Sequence, residues 1–421
     1  MNLHELDRQL IWHPFTHQKN AEHNTLITRA EGARLFDDKS NSYLDAISSW
    51  WVNLHGHGHP AIASAIYEQA QKLEHIIFAG FTHEPAIALA KNLLKILPGN
   101  FSKIFYSDNG STSTEVALKM AIQYWWNLGL KKTKILAYRN SYHGDTFGAM
   151  SVSDRGVFTL AFHDRLFEVL FIDTPTEQNI PELVKIIEEH GRDIACFIYE
   201  PLVQGAGGMR MYDANAMNQL LNIVKEQEII CIADEVMTGF GRTGKIFASE
   251  YMECKPDIIC LSKGITGGFI PLGVTACTER IYHAYLQDDK LKTFFHGHSF
   301  TANPLACAAA NASLELLDSD TCRTAITSIE KSHQKLSSEL SDATLPIRNL
   351  RVLGTILAFE LDEGKDEYLN NSGASIGKLA MQDGVYIRPL GNTVYLMPSY
   401  AFDENDLDYL NKTLVKIITL P

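Results

Sequence analysis

A series of short apolar, β-forming runs punctuates the middle of the chain: SKIFYSD, TKILAYRN, ACFIYEP, IICIADE, DIICLSK and PLGVTAC. Several are apolar throughout, without polar alternation, which is how strands read when helices cover both faces of a parallel sheet. Amphipathic stretches such as ALAKNLLKIL and STEVALKMAIQYWW fill the intervals. This alternation predicts an α/β chain with a large domain built on a mainly parallel sheet flanked by helices. The ends of the chain read differently. LITRAEGARLFDDKSNSYLDAISSWW mixes polar and apolar residues as a small hairpin region does, and from about residue 311 long amphipathic helices precede VLGTILAFEL and VYLMPSYAF. The expected division is an N-terminal segment of a small domain over 1–55, a large domain over 56–310 and the rest of a small α+β domain over 311–421, so both termini contribute to the small domain.

In an open α/β sheet, ligands collect beyond the carboxyl ends of the strands. The polar residues that follow each apolar run are therefore the candidates: Asp234 and Glu235 after CIA, Lys263 after ICLS, RNSYHGDT after KILAY, and NGSTSTE after IFYSD. NGSTSTE, with Gly110 and Ser111, sets a glycine and hydroxyl residues at a helix start, where free N–H groups and the dipole favour an anion. Alone it reads more readily as a capped helix, and it lacks the GK[ST] of a Walker loop. Asp234 and Lys263 are spaced as one helix-containing connection between strands, and a plain salt bridge would satisfy both. Yet lysine is rarely buried, and an amine held in apolar surroundings has a lowered pKa and attacks carbonyls. A lysine for an aldehyde, a carboxylate for a pyridine nitrogen and an anion site together meet the needs of pyridoxal phosphate. Tyr142 and His143 stand where an aromatic face could stack on its ring.

Composition narrows the partners. The 421 residues suggest two or three units, and 45% hydrophobic with 21% charged residues suits an ordinary globular protein. A net charge of -13 argues against wrapping nucleic acid and for small-molecule substrates. No apolar run is long enough to span a bilayer, and MNLHELDRQL lacks the pattern of a secretory signal, so a cytoplasmic location without membrane attachment is expected. The seven cysteines show no CxxC pair and read as reduced, buried thiols; no metal site is expected.

IADEVMTGFGRTG, LSKGITGG, YHGDT and EPLVQGAGGM together resemble the class III, fold type I pyridoxal-phosphate aminotransferases. WHPFT, SSWWVNLHGHGHP, THEPA, FFHGHSFTANPLACAAAN and RPLGNTVYLMP extend the resemblance over nearly the whole chain, toward the branch of that family acting in biotin biosynthesis. The resemblance implies that Lys263 holds the cofactor aldehyde and moves the substrate proton, that Asp234 pairs with the pyridine nitrogen, and that Tyr142 stacks on the ring and touches substrate. It gives Gly110 and Ser111 to the phosphate, and it implies a homodimer in which Gly297, His298 and Ser299 complete the partner's site. It gives Phe15, Trp50 and Arg388 to the substrate, with Trp50 as an apolar wall and Arg388 meeting a carboxylate. Glu200 and Arg242 become support. The implied substrates are 8-amino-7-oxononanoate and an amino donor, S-adenosylmethionine or lysine. Phe15 replaces a tyrosine common in the family, His298 a proline, and Met237 a glutamine found in other branches. The competing readings are an ω-amino-acid or diamine transaminase of the same family and a cofactor-binding protein without turnover.

Overall fold

The computed structural model describes residues 2–20, 24–342, 345–362, 369 and 372–419. At its centre lies a seven-stranded sheet in the order Phe101–Ser107, Gly273–Thr278, Ile258–Leu261, Ile230–Asp234, Ile194–Tyr199, Lys134–Tyr138, Leu170–Ile172. The run of strands from Ile258–Leu261 to Leu170–Ile172 is parallel throughout. Gly273–Thr278 runs against both of its neighbours, so PLGVTAC supplies an antiparallel strand in a mainly parallel sheet. Every position of Ile194–Tyr199 is buried, and its side chains alternate between two apolar clusters: Phe197 packs with one, Cys196 and Ile198 with the other. A strand covered on both faces has no solvent side to carry polar residues, hence its unbroken apolar run.

Asp234 and Lys263 lie at the ends of adjacent parallel strands, with Asp234 in register with Cys260. The chain between them contains the short 3-10 turn Ala248–Tyr251 and no α-helix, contrary to the helix-containing connection that the spacing suggested.

The terminal segments meet each other. The antiparallel strands Ile27–Glu31, Arg34–Asp37 and Ser42–Asp45 are joined by Val385–Tyr386, which pairs in parallel with Ser42–Asp45. A three-stranded antiparallel sheet, Ile347–Leu353, Ile356–Leu361 and Thr393–Leu396, packs with the helices Asp320–Asp342 and Glu404–Ile418. Arg242, fully buried, donates from Nη1 to the Pro398 carbonyl at 2.9 Å and from Nη2 to the Asn53 carbonyl at 3.2 Å, tying the end segments to the central sheet. The cysteines are all free, and all but Cys254 are buried. Among the described residues, no helix is long and apolar enough to cross a membrane, and no cluster of His, Cys, Asp and Glu could hold a metal ion.

Candidate active site

The carboxyl ends of the parallel strands open into a cavity of about 360 Å³. Gly110, Ser111, Tyr142, Asp234, Met237 and Lys263 all line it, so residues far apart in sequence converge there. Lys263 opens a 3-10 turn, Lys263–Thr266, directly after its strand, with a positive φ of 44°. Backbone held in this region by a side-chain-bearing residue costs roughly 1–3 kcal/mol and persists where surrounding packing over-determines it. Burial lowers the amine pKa to about 8, against the opposing charges of Asp234 and Glu200. Its Nζ sits 4.5 Å from the centre of the Trp51 ring. No salt bridge joins Lys263 to Asp234; the carboxylate has another partner.

That partner is His143. Its Nδ1 lies 2.7 Å from Asp234 Oδ2, and both residues are buried. A carboxylate only accepts, so Nδ1 carries the proton. The other carboxylate oxygen accepts from the Val236 amide at 3.0 Å, which fixes the plane of the group. Sequence reasoning placed His143 beside Tyr142 as a ring that could stack; the structure sets it behind Asp234 instead. The only prior signal was an imidazole following a strand in SYHGDT.

Gly110 and Ser111 begin the eighteen-residue helix Gly110–Asn127. The Asn109 side chain caps Thr112, leaving the amides of Gly110 and Ser111, two residues that line the cavity, without a partner among the described residues. A Cβ on Gly110 would stand 2.8 Å from Val236 Cγ1, so only glycine lets the helix start come this near to the strand end. The glycines after Lys263 answer to packing. Gly267 caps the turn in the left-handed region at φ 63°, and a Cβ there would meet Ile62 at 2.7 Å.

Glu200 follows its own strand and receives the Tyr142 amide at 3.0 Å and the Gly205 amide at 2.9 Å. Burial pushes its pKa up to about 7, with His143 pulling down and Asp234 adding to the rise. It thereby ties the Tyr142 loop to the next one, a supporting place. Burial, then the neighbouring Asp145 carboxylate, raises the Tyr142 phenol, so Tyr142 stays protonated.

A second hollow of about 370 Å³ continues from the first, sharing Trp51, Val52, Tyr142 and Lys263. Phe15 and Trp50 line it, edge to face at 5.5 Å, and Phe15 meets Phe158 at 5.7 Å. Phe158 is a wall residue that nothing in SDRGVF announced. Ser48, Ser49 and Trp51 all have positive φ, and this strained turn sends Trp50 outward and Trp51 inward, where its indole N–H donates to the Tyr395 hydroxyl at 2.9 Å. The Arg388 guanidinium lies 4.5 Å over the Trp50 ring. Arg388 and Phe15 also line an open hollow beside it, so the arginine stands at the outer end of the Trp50 wall.

Gly297, His298 and Ser299 do not reach this cavity. They form an exposed loop in which His298 Nδ1 approaches Asp108 at 3.6 Å, and His296 bridges from Lys119 at 2.8 Å to His298 at 3.1 Å.

The family model described as aminotransferase class-III matches residues 16–418. An adenosylmethionine-8-amino-7-oxononanoate aminotransferase from Synechococcus elongatus is 45% identical over 97% of this chain and 98% of its own length. One of the same name from Geobacter sulfurreducens is 38% identical over 99% and 97%. The crystal structure of the so-named enzyme from Methanocaldococcus jannaschii superposes with a TM-score of 0.94 at 37% identity, covering 99% of this chain and 98% of that one. An amine transaminase from an uncultivated Pseudomonas species, in its PLP-bound form, gives a TM-score of 0.90 at 29% identity, covering 97% and 98%. The chain is an aminotransferase and belongs to the class-III aminotransferase family.

Proposed function

We propose that this aminotransferase moves an amino group from S-adenosylmethionine, or from lysine, to 8-amino-7-oxononanoate, giving 7,8-diaminononanoate in two successive half-reactions at one site. The relatives' names support the pair of substrates. The observation that carries the chemistry is a buried amine with a pKa near 8 opening into the same cavity as a buried carboxylate that is engaged elsewhere, by a histidine.

Pyridoxal phosphate fits these residues. Gly110 and Ser111 offer unpartnered amides at a helix start for the phosphate. Asp234, braced by His143, offers its carboxyl group to the pyridine nitrogen, and Lys263 offers an amine for the aldehyde. Tyr142 offers its ring to stack. When bound, the cofactor supplies an aldehyde for amines and a ring that accepts the electron pair left by deprotonation.

The protein's own part is orientation and proton movement. With the cofactor held here, the Lys263 amine, when free, would take a proton from the substrate carbon in one half-reaction and give one to it in the other. A pKa near 8 suits both directions near neutral pH. Trp51, over Lys263, and the hollow's aromatic wall give that amine an apolar surround. The chain of 8-amino-7-oxononanoate lies along Trp50, with its carboxylate drawn to Arg388. The loop Gly297–Ser299, exposed at Gly297 and Ser299, would complete the phosphate site of a second copy, which makes the working unit a homodimer. The net charge and the absence of a long apolar helix among the described residues support a cytoplasmic enzyme.

The test supplies 8-amino-7-oxononanoate with each donor separately and measures 7,8-diaminononanoate. Product with neither donor overturns the substrate reading and leaves the family intact. An ω-amino-acid transaminase would instead turn over short keto acids and ignore the oxononanoate.

A further inference from the structure

The turn that carries both tryptophans starts where the strand Ser42–Asp45 ends, and Asp45 closes that strand. Ser48, Ser49 and Trp51 hold φ of 52°, 60° and 67°, a region that residues with side chains occupy only where their surroundings compel it. One buried carboxylate gathers the turn. Asp45 Oδ2 accepts the Ser49 amide at 2.6 Å, and its Oδ1 accepts the Ile47 amide at 3.3 Å.

His57 holds that carboxylate in turn. Its Nε2 lies 2.9 Å from Asp45 Oδ2, and its Nδ1 lies 3.2 Å from the Asn53 side-chain nitrogen. A carboxylate only accepts and an amide nitrogen only donates, so the ring is neutral with its proton on Nε2. Asn53 follows closely after Trp51, so the bonds from Ser49 through Asp45 and His57 to Asn53 close around the turn from both sides. Asp45 and His57 line neither the cavity nor the hollow beside it.

We propose that Asp45 and His57 are positioning residues for the reacting amine, setting the turn so that Trp51 covers Lys263 and Trp50 faces the hollow. The inference rests on the reading of Lys263 as the amine that holds the cofactor, whichever substrates follow. Trp51 is 4% exposed with its ring 4.5 Å from Lys263 Nζ, whereas its neighbour Trp50 is 38% exposed. The bond to Tyr395 ties the edge of the Trp51 indole, and the backbone of the turn decides which of the two rings turns inward. An indole face favours the ammonium form, and the burial it brings disfavours that form more, since the amine stays at a pKa of about 8 with the ring in place. A loosened turn therefore admits water to the amine and raises its pKa.

The readout is the pH at which the cofactor-free protein reaches half of its plateau rate of pyridoxal phosphate capture. His57→Phe keeps a ring of similar size and removes both nitrogens, and Asp45→Asn keeps the shape and one acceptor. Each raises the midpoint from about 8 by at least about half a pH unit, so capture at pH 7 slows about threefold or more. His57→Gln keeps a donor for Asp45 and an acceptor for Asn53, and its midpoint stays within about 0.2 pH unit of the wild type. Lost stability alone reduces the amount of capturing protein and leaves the midpoint in place. Removing a negative charge alone lowers a lysine pKa, so the rise in Asp45→Asn reports lost cover; Asp234, Glu200 and Arg242, the charges that act on the amine, are kept in every variant. Trp51→Ala raises the midpoint by itself, and adding His57→Phe to it raises it no further, because the histidine acts through that ring. Where Asp45→Asn does not fold, the His57 variants decide alone. An unmoved midpoint in His57→Phe, an equal rise in His57→Gln, or additive rises in the double variant overturn the assignment. Borohydride reduction and mass spectrometry of the wild-type protein separate the two failures. Cofactor on another residue strikes the reading of Lys263 and the positioning role with it, whereas cofactor on Lys263 with unmoved midpoints strikes the positioning role alone.

Discussion

The lysine end of the cavity rests on strand ends, whereas the Phe15, Trp50 and Arg388 end rests on loops and strained turns contributed by the two ends of the chain. At the first end each functional group is locked by a neighbour: Asp234 by His143 and Val236, Tyr142 by Glu200, and Gly110 by its fit against Val236. At the second end the rings are part-exposed and hold each other by edge contacts and one cation–π contact. The difference separates chemistry from selection. A reacting group needs fixed geometry, which a rigid sheet supplies, while a surface that meets two unlike substrates needs sides that can be re-lined without disturbing that geometry.

The comparison breaks most readily at Lys263. Lys263→Ala is expected to reduce kcat by at least about 10⁴-fold, since it removes both the covalent anchor and the proton carrier. Borohydride reduction followed by mass spectrometry should find the cofactor on Lys263 in the wild-type chain and nowhere in the variant. Retained turnover would place the chemistry at another group.

The second prediction sharpens the first end by pH. Capture of pyridoxal phosphate by the cofactor-free protein needs the neutral amine. Burial depresses this amine from 10.5 to about 8, so the neutral form gains as pH rises and is dominant above about 8. At pH 7 roughly one lysine in ten is neutral, about 300-fold more than for an unperturbed lysine. The capture rate should therefore climb up to about pH 8 and level off. A rate that keeps rising about tenfold per pH unit up to about pH 10 would show that Lys263 is solvated like a surface residue.

These two ends were unequally legible in the sequence. Apolar runs that stop at Asp234 and Lys263 announced strand ends, and strand ends of one parallel sheet must share an edge, so their convergence followed from the pattern. His143 behind Asp234 did not follow, because hydrogen-bond pairing across loops depends on where each loop turns. The antiparallel run of Gly273–Thr278 was likewise invisible, since a buried strand shows the same apolar run whichever way it points. Trp50 and Trp51 are adjacent and chemically alike, and only the positive φ angles of their turn sort one to the substrate hollow and the other over the lysine. The place of Phe158 depends on loops packing against the end segment of the chain, with Leu390 in the same wall. Periodicity carries no record of such contacts.

At the second end the larger effect belongs to Arg388. Arg388→Met keeps the packing over Trp50 and removes the charge. Losing a charge-assisted hydrogen bond costs about 1.5–3 kcal/mol, so the KM for 8-amino-7-oxononanoate should rise roughly 10- to 100-fold. The half-reaction with donor alone should change less than threefold. Equal loss in both half-reactions would mean that Arg388 braces Trp50 and meets no carboxylate.

The smallest effect is expected at Phe15. It stands edge-on to both Trp50 and Phe158 with 44% of its surface exposed, so a hydroxyl added by Phe15→Tyr can reach water or substrate without entering the core. A single neutral hydrogen bond contributes about 1 kcal/mol, which limits the gain in donor or acceptor KM to about fivefold. Half-reaction kinetics of Phe15→Tyr with each substrate would show which of the two approaches this ring. A shift confined to the donor puts the donor's path past Phe158. A shift confined to the oxononanoate makes Phe15 part of the Trp50 wall that leads to Arg388. A change above tenfold in both would mean that this edge is as rigidly coupled to the reacting amine as Asp234 is, and the division between a fixed end and an adaptable end would no longer hold.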